Sequence, residues 1–147
     1  MGQQFSGEDR RSQTSRLVKE LLAERQQMWA LYCKVAGLEP FTPDKPVNAL
    51  LKDFCQVLVD YISLGHFGLY EKIMSGEERR QKVIEVAERI YPEMNDVAAR
   101  AVEFNDMVSS NLGVIPMKKL SDELSYLGEG LATRIELEDQ LLETINT

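Results

Sequence analysis

A narrow polar stripe along an otherwise apolar segment constrains the fold more than any other feature of this sequence. Asn48, Lys52, Gln56, Asp60 and Ser63 follow one another at spacings of four, four, four and three, so on a helix they share one face. Apart from Asp53, the residues between Leu50 and Leu64 that lie off this stripe are apolar. Such a helix has to pack against neighbours on at least two sides. The segment is therefore predicted to be the central helix of a bundle.

Helical periods continue on both sides of this segment. Thr14 or Ser15 is predicted to cap a first helix, and Gly37 is predicted to end it in a left-handed conformation. The range 39–46 contains most of the prolines and is predicted to be an extended loop. The central helix should then begin near Pro46.

Breaks and caps are also predicted after the central helix. Gly65 should break or kink it, and the aromatic residues of a short continuation, Phe67 among them, should fold back on the core. Ser75 and Glu78 have the spacing of a capping box that opens the next helix. Pro92 is predicted to interrupt that helix and to open another at its first turn.

The last helix is predicted to start at Pro116 and to pack along a seam of residues three or four apart. That seam contains Met117, Leu120, Leu124, Leu127, Leu131, Arg134, Glu138, Leu141 and Ile145. No strand-like alternation or repeat is present, so we predict an all-α antiparallel bundle with a four-helix-bundle-like core and a kinked or broken central helix. Residues 14–147 should form one domain, and residues 1–13 a flexible tail.

Charge and hydropathy limit the partners. The formal net charge of −7 and a pI near 4.8 disfavour nucleic acid and anionic membranes, which are bound through clustered Lys and Arg, and favour a basic protein. The sequence has no run of about 18 apolar residues and no signal-peptide pattern. We therefore expect a cytoplasmic protein. A monomer is expected as well.

Cysteine usage agrees with a reducing compartment. Cys33 and Cys55 stand alone within apolar helical segments, without CxxC spacing. Both are predicted to be free thiols that serve as small core residues.

Motifs for catalysis and metal binding are missing from the sequence. A di-iron bundle needs two Glu-x-x-His motifs, whereas the single histidine, His66, is preceded at that spacing by Ser63. No nucleophile elbow or phosphate-binding glycine loop is present, so we predict no enzyme activity, no metal and no cofactor. His66 is interpreted as a structural residue that bonds a neighbouring acid or carbonyl, with Tyr70 and Glu71 beside it.

Two charged residues interrupt the apolar seam of the last helix. Arg134 and Glu138 are four residues apart and can pair along the helix, with Asp139 turned slightly outward. One interpretation is a polar network that fixes helix register, and the other is part of a pocket or partner surface.

The central segment resembles the Rsd/AlgQ family of bacterial anti-sigma factors. The residues that carry the resemblance are Asp53-Phe54-Cys55-Gln56, Leu58-Val59-Asp60-Tyr61, Ser63, Gly65-His66-Phe67 and Tyr70-Glu71. Weaker similarity extends it from about Leu17 to Ile145 and includes Arg25, Arg134 and Leu137-Glu138-Asp139. The chain departs from the family pattern at Lys19-Glu20-Leu21 and at Ile135.

The resemblance implies a function and a contact surface. A member of this family would bind the C-terminal, promoter-recognition domain of the primary sigma factor and block its use by core RNA polymerase and promoter DNA. The implied contacts centre on Asp60, with Asp53, Gln56 and Ser63 on or beside the same stripe and Arg25 from the first helix. The alternative is a ligand- or metal-binding bundle that uses His66, Glu71, Glu138 and Asp139 around an internal pocket.

Overall fold

The computed structural model describes residues 7–111 and 113–146 as four long helices with two short π-helical segments between the second and third. The α helices are α1 (Gly7–Ala36), α2 (Val47–Ser63), α3 (Gln81–Asn111) and α4 (Met117–Ile145). The first π segment is Leu64–Tyr70 and the second is Ile73–Glu77. No strand occurs in these ranges, so the all-α prediction is confirmed. None of the helices described is long and apolar enough to cross a membrane.

Successive helices are antiparallel and pack around one core. Along their lengths α1 packs on α2, α2 on α3 and α3 on α4, whereas α1 and α4 meet over a short stretch. Leu51, Phe54, Leu58 and Tyr61 of α2 are wholly buried. Because burying each such side chain contributes about 1.5–3 kcal/mol, the apolar residues of α2 account for its central position.

The first helix differs from its prediction at both ends. It begins by Gly7, and Thr14, predicted as a cap, is a buried residue within it. Residues 7–13 of the predicted tail are thus helical, and residues 1–6 lie outside the described ranges. Gly37 is not left-handed either, because the amides of Leu38 and Glu39 close tighter turns onto the carbonyls of Val35 and Ala36.

The central helix does not break at Gly65. It passes directly into the first π segment, whose wider turns shift the phase of the following side chains. Leu69 and Tyr70 are buried, as predicted for the continuation, but Phe67 is 67% exposed. The prediction that Phe67 folds back on the core is therefore wrong.

The predicted capping box is also wrong. Gly76, inside the second π segment, has a φ of 93° and interrupts the helical backbone there, so Ser75 does not open α3, and its hydroxyl donates to the carbonyl of Lys72. Glu78 instead accepts a hydrogen bond from the backbone amide of Arg80 just before α3 begins.

Pro92 lies inside α3, contrary to the prediction that a helix starts there. A proline within a helix costs about 3 kcal/mol. The apolar period nevertheless continues across it through Val83, Ala87, Ile90, Met94, Val97, Ala101, Phe104 and Val108, all buried. Burial of this long face against α2 and α4 outweighs the local penalty.

Candidate functional site

A buried ion pair joins α4 to the rest of the bundle. Arg134 and Glu138 are 1% and 2% exposed, and Arg134 Nε donates to Glu138 Oε2 over 3.2 Å. Arg134 Nη1 donates to the carbonyl of Met94 at 3.2 Å, and the Tyr61 hydroxyl donates to Glu138 Oε1 at 2.5 Å. The pair therefore connects α4 with α3 and α2, which is the arrangement expected of a register-fixing network.

The electrostatics of this pair follow from its burial. Burial raises the pKa of the Glu138 carboxyl, while Arg134, the Tyr61 hydroxyl and Arg25 oppose that change. Burial likewise raises the pKa of Tyr61 above its usual value, and Glu138 adds to that increase. Removal of the Glu138 carboxylate would leave the buried guanidinium group without its counter-ion.

Arg25 extends the network from α1 to the surface of α4. Its Nη1 lies 2.8 Å from Asp139 Oδ1 and 3.5 Å from Glu138 Oε1. Asp139 is itself exposed, whereas the Arg25 side chain is only 18% exposed. The guanidinium of Arg25 thus already has two acidic partners within the chain, and its predicted contact with another protein stays a prediction.

The polar stripe of α2 lies on the outside of the bundle. Asn48, Lys52, Gln56 and Asp60 are exposed, Asp53 beside them is exposed as well, and Ser63 is half-buried. Within the described ranges neither Asp53 nor Asp60 has a hydrogen bond or an ion pair. Two carboxylates are therefore free to meet an outside partner.

Phe67 is a further exposed residue, one turn beyond the end of α2. It follows Ser63 at a helical spacing of four, on the chain path that continues from α2 into the first π segment. Val59, one residue before Asp60, is 36% exposed. The exposure of Phe67 was not predicted from the sequence, because the π turns around it shift the phase on which spacing rules depend. We use the name outer α2 face for Asp53, Gln56, Val59 and Asp60 of α2 together with Phe67 just beyond the helix end.

A separate cavity of about 310 Å³ lies where the π segments meet α3. Its lining consists of His66, Tyr70, Glu71, Met74 and Tyr91. The alternative prediction grouped His66 and Glu71 with Glu138 and Asp139, but Glu138 lies in the core and Asp139 pairs with Arg25 on the surface. Among the residues described, no group of three or more His, Cys, Asp or Glu side chains is placed to hold a metal ion.

These features define a class of protein, a four-helix bundle with a buried ion pair and an acidic outer face on its central helix. The chain belongs to the Rsd/AlgQ family, described as regulators of the RNA polymerase sigma(70) subunit, whose pattern matches residues 2–146. The resemblance seen in the sequence is thereby confirmed.

Curated relatives support the same assignment. A protein named "Regulator of sigma D" from Yersinia pestis bv. Antiqua (strain Angola) is 31% identical over 134 residues, covering 88% of this chain and 79% of the relative. A protein of the same name from Salmonella arizonae is 30% identical over 132 residues, covering 88% of this chain and 81% of the relative. No solved structure is significantly similar to the chain.

Proposed function

We propose that the protein is an anti-sigma factor that binds the C-terminal, helix-turn-helix domain of the primary sigma factor. A basic domain of this kind contacts both promoter DNA and core RNA polymerase. A bundle that covers it would prevent both contacts at once. The protein would act in the cytoplasm as a monomer, without direct contact to nucleic acid and without enzyme activity.

The observation that carries this proposal is membership of a family of sigma(70) regulators, combined with unpaired carboxylates on the outer α2 face. Asp53 and Asp60 point away from the core and have no partner in the described ranges. With a net charge of −7, the chain would attract a basic partner from a distance. Charge complementarity of this kind raises association rates and fixes orientation.

Phe67 supplies the apolar contact that such an interface needs. Interfaces concentrate their binding energy in a few residues near the centre, and the surrounding polar contacts exclude water. An aromatic side chain that is 67% exposed beside an acidic stripe fits that arrangement. Asp60 would pair with an arginine of the partner while Phe67 enters an apolar depression next to it.

Calorimetry with the isolated C-terminal domain of the primary sigma factor tests the proposal. Asp60→Ala should weaken binding by about thirtyfold or more, because the loss of one member of a desolvated charge pair reduces the binding free energy by about 2 kcal/mol or more. The matched control is Asp106→Ala, which removes an exposed, unpaired aspartate from α3. Melting curves should show that both variants remain folded, because both positions are on the surface.

The results of these binding measurements distinguish an error in the proposed function from an error in the proposed binding site. If the unaltered chain does not bind the sigma domain, the proposed function is wrong. If the Asp60→Ala and Asp106→Ala variants bind with equal affinity, the proposed function is retained but the outer α2 face is not the binding site. Phe67→Ala, compared with Val102→Ala at an exposed valine of α3, tests the apolar contact in the same way.

A further inference from the structure

The cavity between the π segments and α3 has an unusual lining for a surface depression of an acidic bundle. Three of its five lining residues, His66, Tyr70 and Tyr91, carry aromatic rings, and Met74 adds a thioether. Glu71 is the one acidic residue, and no lysine or arginine takes part. Its volume of about 310 Å³ is at the lower end of the range for small-molecule sites.

The His66 and Tyr70 rings both lie beside the Tyr91 ring. The centroids of His66 and Tyr91 are 6.1 Å apart with the planes tilted by 34°, and those of Tyr70 and Tyr91 are 5.9 Å apart with the planes at 62°. Neither pair is stacked face to face, as Trp29 and Tyr32 are elsewhere in the fold. Stacking therefore does not occupy the ring faces, which carry the negative part of the aromatic quadrupole. The Tyr70–Tyr91 pair and the His66–Phe67 pair are T-shaped, so in each pair the edge of one ring meets the other and the remaining faces can contact a ligand.

Glu71 adds a full negative charge that the described part of the chain leaves unpaired. The side chain is exposed and has no ion pair or hydrogen bond in the described ranges. The neighbouring Lys72 is directed elsewhere, since its ammonium group donates to the Gln13 side chain of α1. The lining therefore combines one carboxylate with several π faces and has no positive charge to oppose them.

The backbone at this place is also irregular. His66 and Tyr70 lie on the first π segment, Met74 lies on the second, and Tyr91 directly precedes the proline within α3. π-helical turns are uncommon and occur often at functional sites, where they redirect side chains. Here they bring residues of two consecutive turns to the same cavity as Tyr91.

We propose that this cavity binds a small alkylated ammonium ion, with Glu71 as its counter-ion and the His66, Tyr70 and Tyr91 rings as its walls. Aromatic cages recognise quaternary ammonium groups because the cation is attracted to several ring faces and its methyl groups pack against them. Anions are disfavoured because no Lys or Arg lines the cavity. The proposal is independent of sigma-factor binding.

The cation could be free in solution or carried on a modified lysine, and two probes distinguish these sources. Titration with choline should shift amide signals of the π segments and of residues around Tyr91 in a heteronuclear NMR spectrum. A peptide containing trimethyllysine should shift the same signals. Its affinity should exceed that of choline only if a protein side chain is the natural ligand. Choline binding as tightly as the peptide would indicate a free ligand.

The neutral isostere 3,3-dimethyl-1-butanol tests the role of charge. It has the shape of choline without the positive charge, so it should bind at least about fivefold more weakly. Glu71→Gln should remove most of this difference, and Glu93→Gln, at an exposed and unpaired glutamate of α3, should leave it unchanged.

The walls are tested with Tyr91→Leu, which keeps an apolar surface but removes a ring from a partly exposed position. Its affinity for choline should fall about tenfold. Absence of choline-dependent shifts in the folded wild-type protein would overturn the proposal. Equal binding of choline and its neutral isostere would overturn it as well.

Discussion

The backbone of Gly65 lies directly against the guanidinium group of Arg134. A Cβ atom added at Gly65 would be 2.7 Å from Arg134 Nη2 and 3.8 Å from Glu138 Oε2. The buried arginine cannot move aside easily, because it is held by Glu138 and by the carbonyl of Met94. Gly65, which was predicted to break or kink the central helix, thus also leaves room for the ion pair of α4.

Gly65→Ala should therefore destabilise the protein. Alanine favours helix by up to about 1 kcal/mol over glycine, but crowding of a packed site typically costs about 1–3 kcal/mol, so we expect a net loss. Gly68→Ala is the control, because its Cβ would meet the flexible Leu64 and Leu17 side chains at 3.3 and 3.5 Å. Urea unfolding of both variants decides the point. An equal stability of the two would show that Arg134 adjusts freely.

Removing one member of the buried pair should be more harmful than removing both. Glu138→Leu leaves Arg134 as an uncompensated buried charge and should lower the free energy of unfolding by about 3–5 kcal/mol. Arg134→Met combined with Glu138→Leu should recover much of this loss, since no buried charge is left without a counter-ion, although the Tyr61 hydroxyl loses its acceptor. A double-mutant cycle by chemical denaturation measures the coupling. Additive effects of the two single substitutions would contradict it.

The buried tyrosines predict a loss of stability at alkaline pH. Burial raises the pKa of both Tyr61 and Tyr70, so their hydroxyls stay protonated in the folded state and ionise near pH 10 once unfolded. The stability they support is present below about pH 10 and falls above it, by up to about 1.4 kcal/mol per pH unit for each tyrosine.

Tyr70→Phe provides the control for this pH dependence. The Tyr70 hydroxyl is buried and has no hydrogen-bond partner in the described part of the chain, so its removal should not harm stability at neutral pH. The slope of stability against pH above 10 should become shallower. Urea unfolding at several alkaline pH values, with tyrosinate absorbance as a second probe, tests both statements. An unchanged slope would mean that Tyr70 ionises without unfolding.

The two cysteines should differ in reactivity. Cys55 is buried, and its burial raises the pKa of the thiol to about 12, so it is protonated and inaccessible at neutral pH. Cys33 is exposed and free. A thiol reagent should modify one cysteine rapidly in the native protein and the second only after denaturation. Cys33→Ser should remove the fast phase, and a fast reaction that persists in this variant would contradict the assignment.

A helix could be predicted from the sequence wherever its buried residues follow the helical period. The stripe of α2 and the seam of α4 were predicted correctly, except for Met117, which is 47% exposed, because each commits one face of a helix to the core. The Cys33 prediction failed, since an apolar neighbourhood in sequence did not decide which side of α1 the residue occupies. Local signals at Thr14 and Pro92 also failed, because tertiary burial along α1 and α3 outweighs capping and proline penalties of a few kcal/mol. The signal at Ser75 failed because the positive φ of Gly76 leaves Ser75 within the second π segment.

The site could be predicted only in part. The exposure of Asp60 follows from its place on the stripe, and the partnership of Arg134 with Glu138 follows from their spacing. The contact of Gly65 with Arg134, and the meeting of His66 with Tyr91, depend on how distant segments pack. π-helical turns add to the difficulty, because they shift the phase of side chains without a sequence signal that spacing rules detect.

The short contact between α1 and α4 gives the molecule a built-in spectroscopic reporter. Trp29, the single tryptophan of the sequence, lines a groove of about 600 Å³ between these two helices, together with Leu22 and Ile135. Its ring stacks on Tyr32, whose hydroxyl donates to the carbonyl of Leu124 on α4. Tryptophan emission therefore senses how closely the first helix is held against the last, whereas circular dichroism measures the helices as a whole.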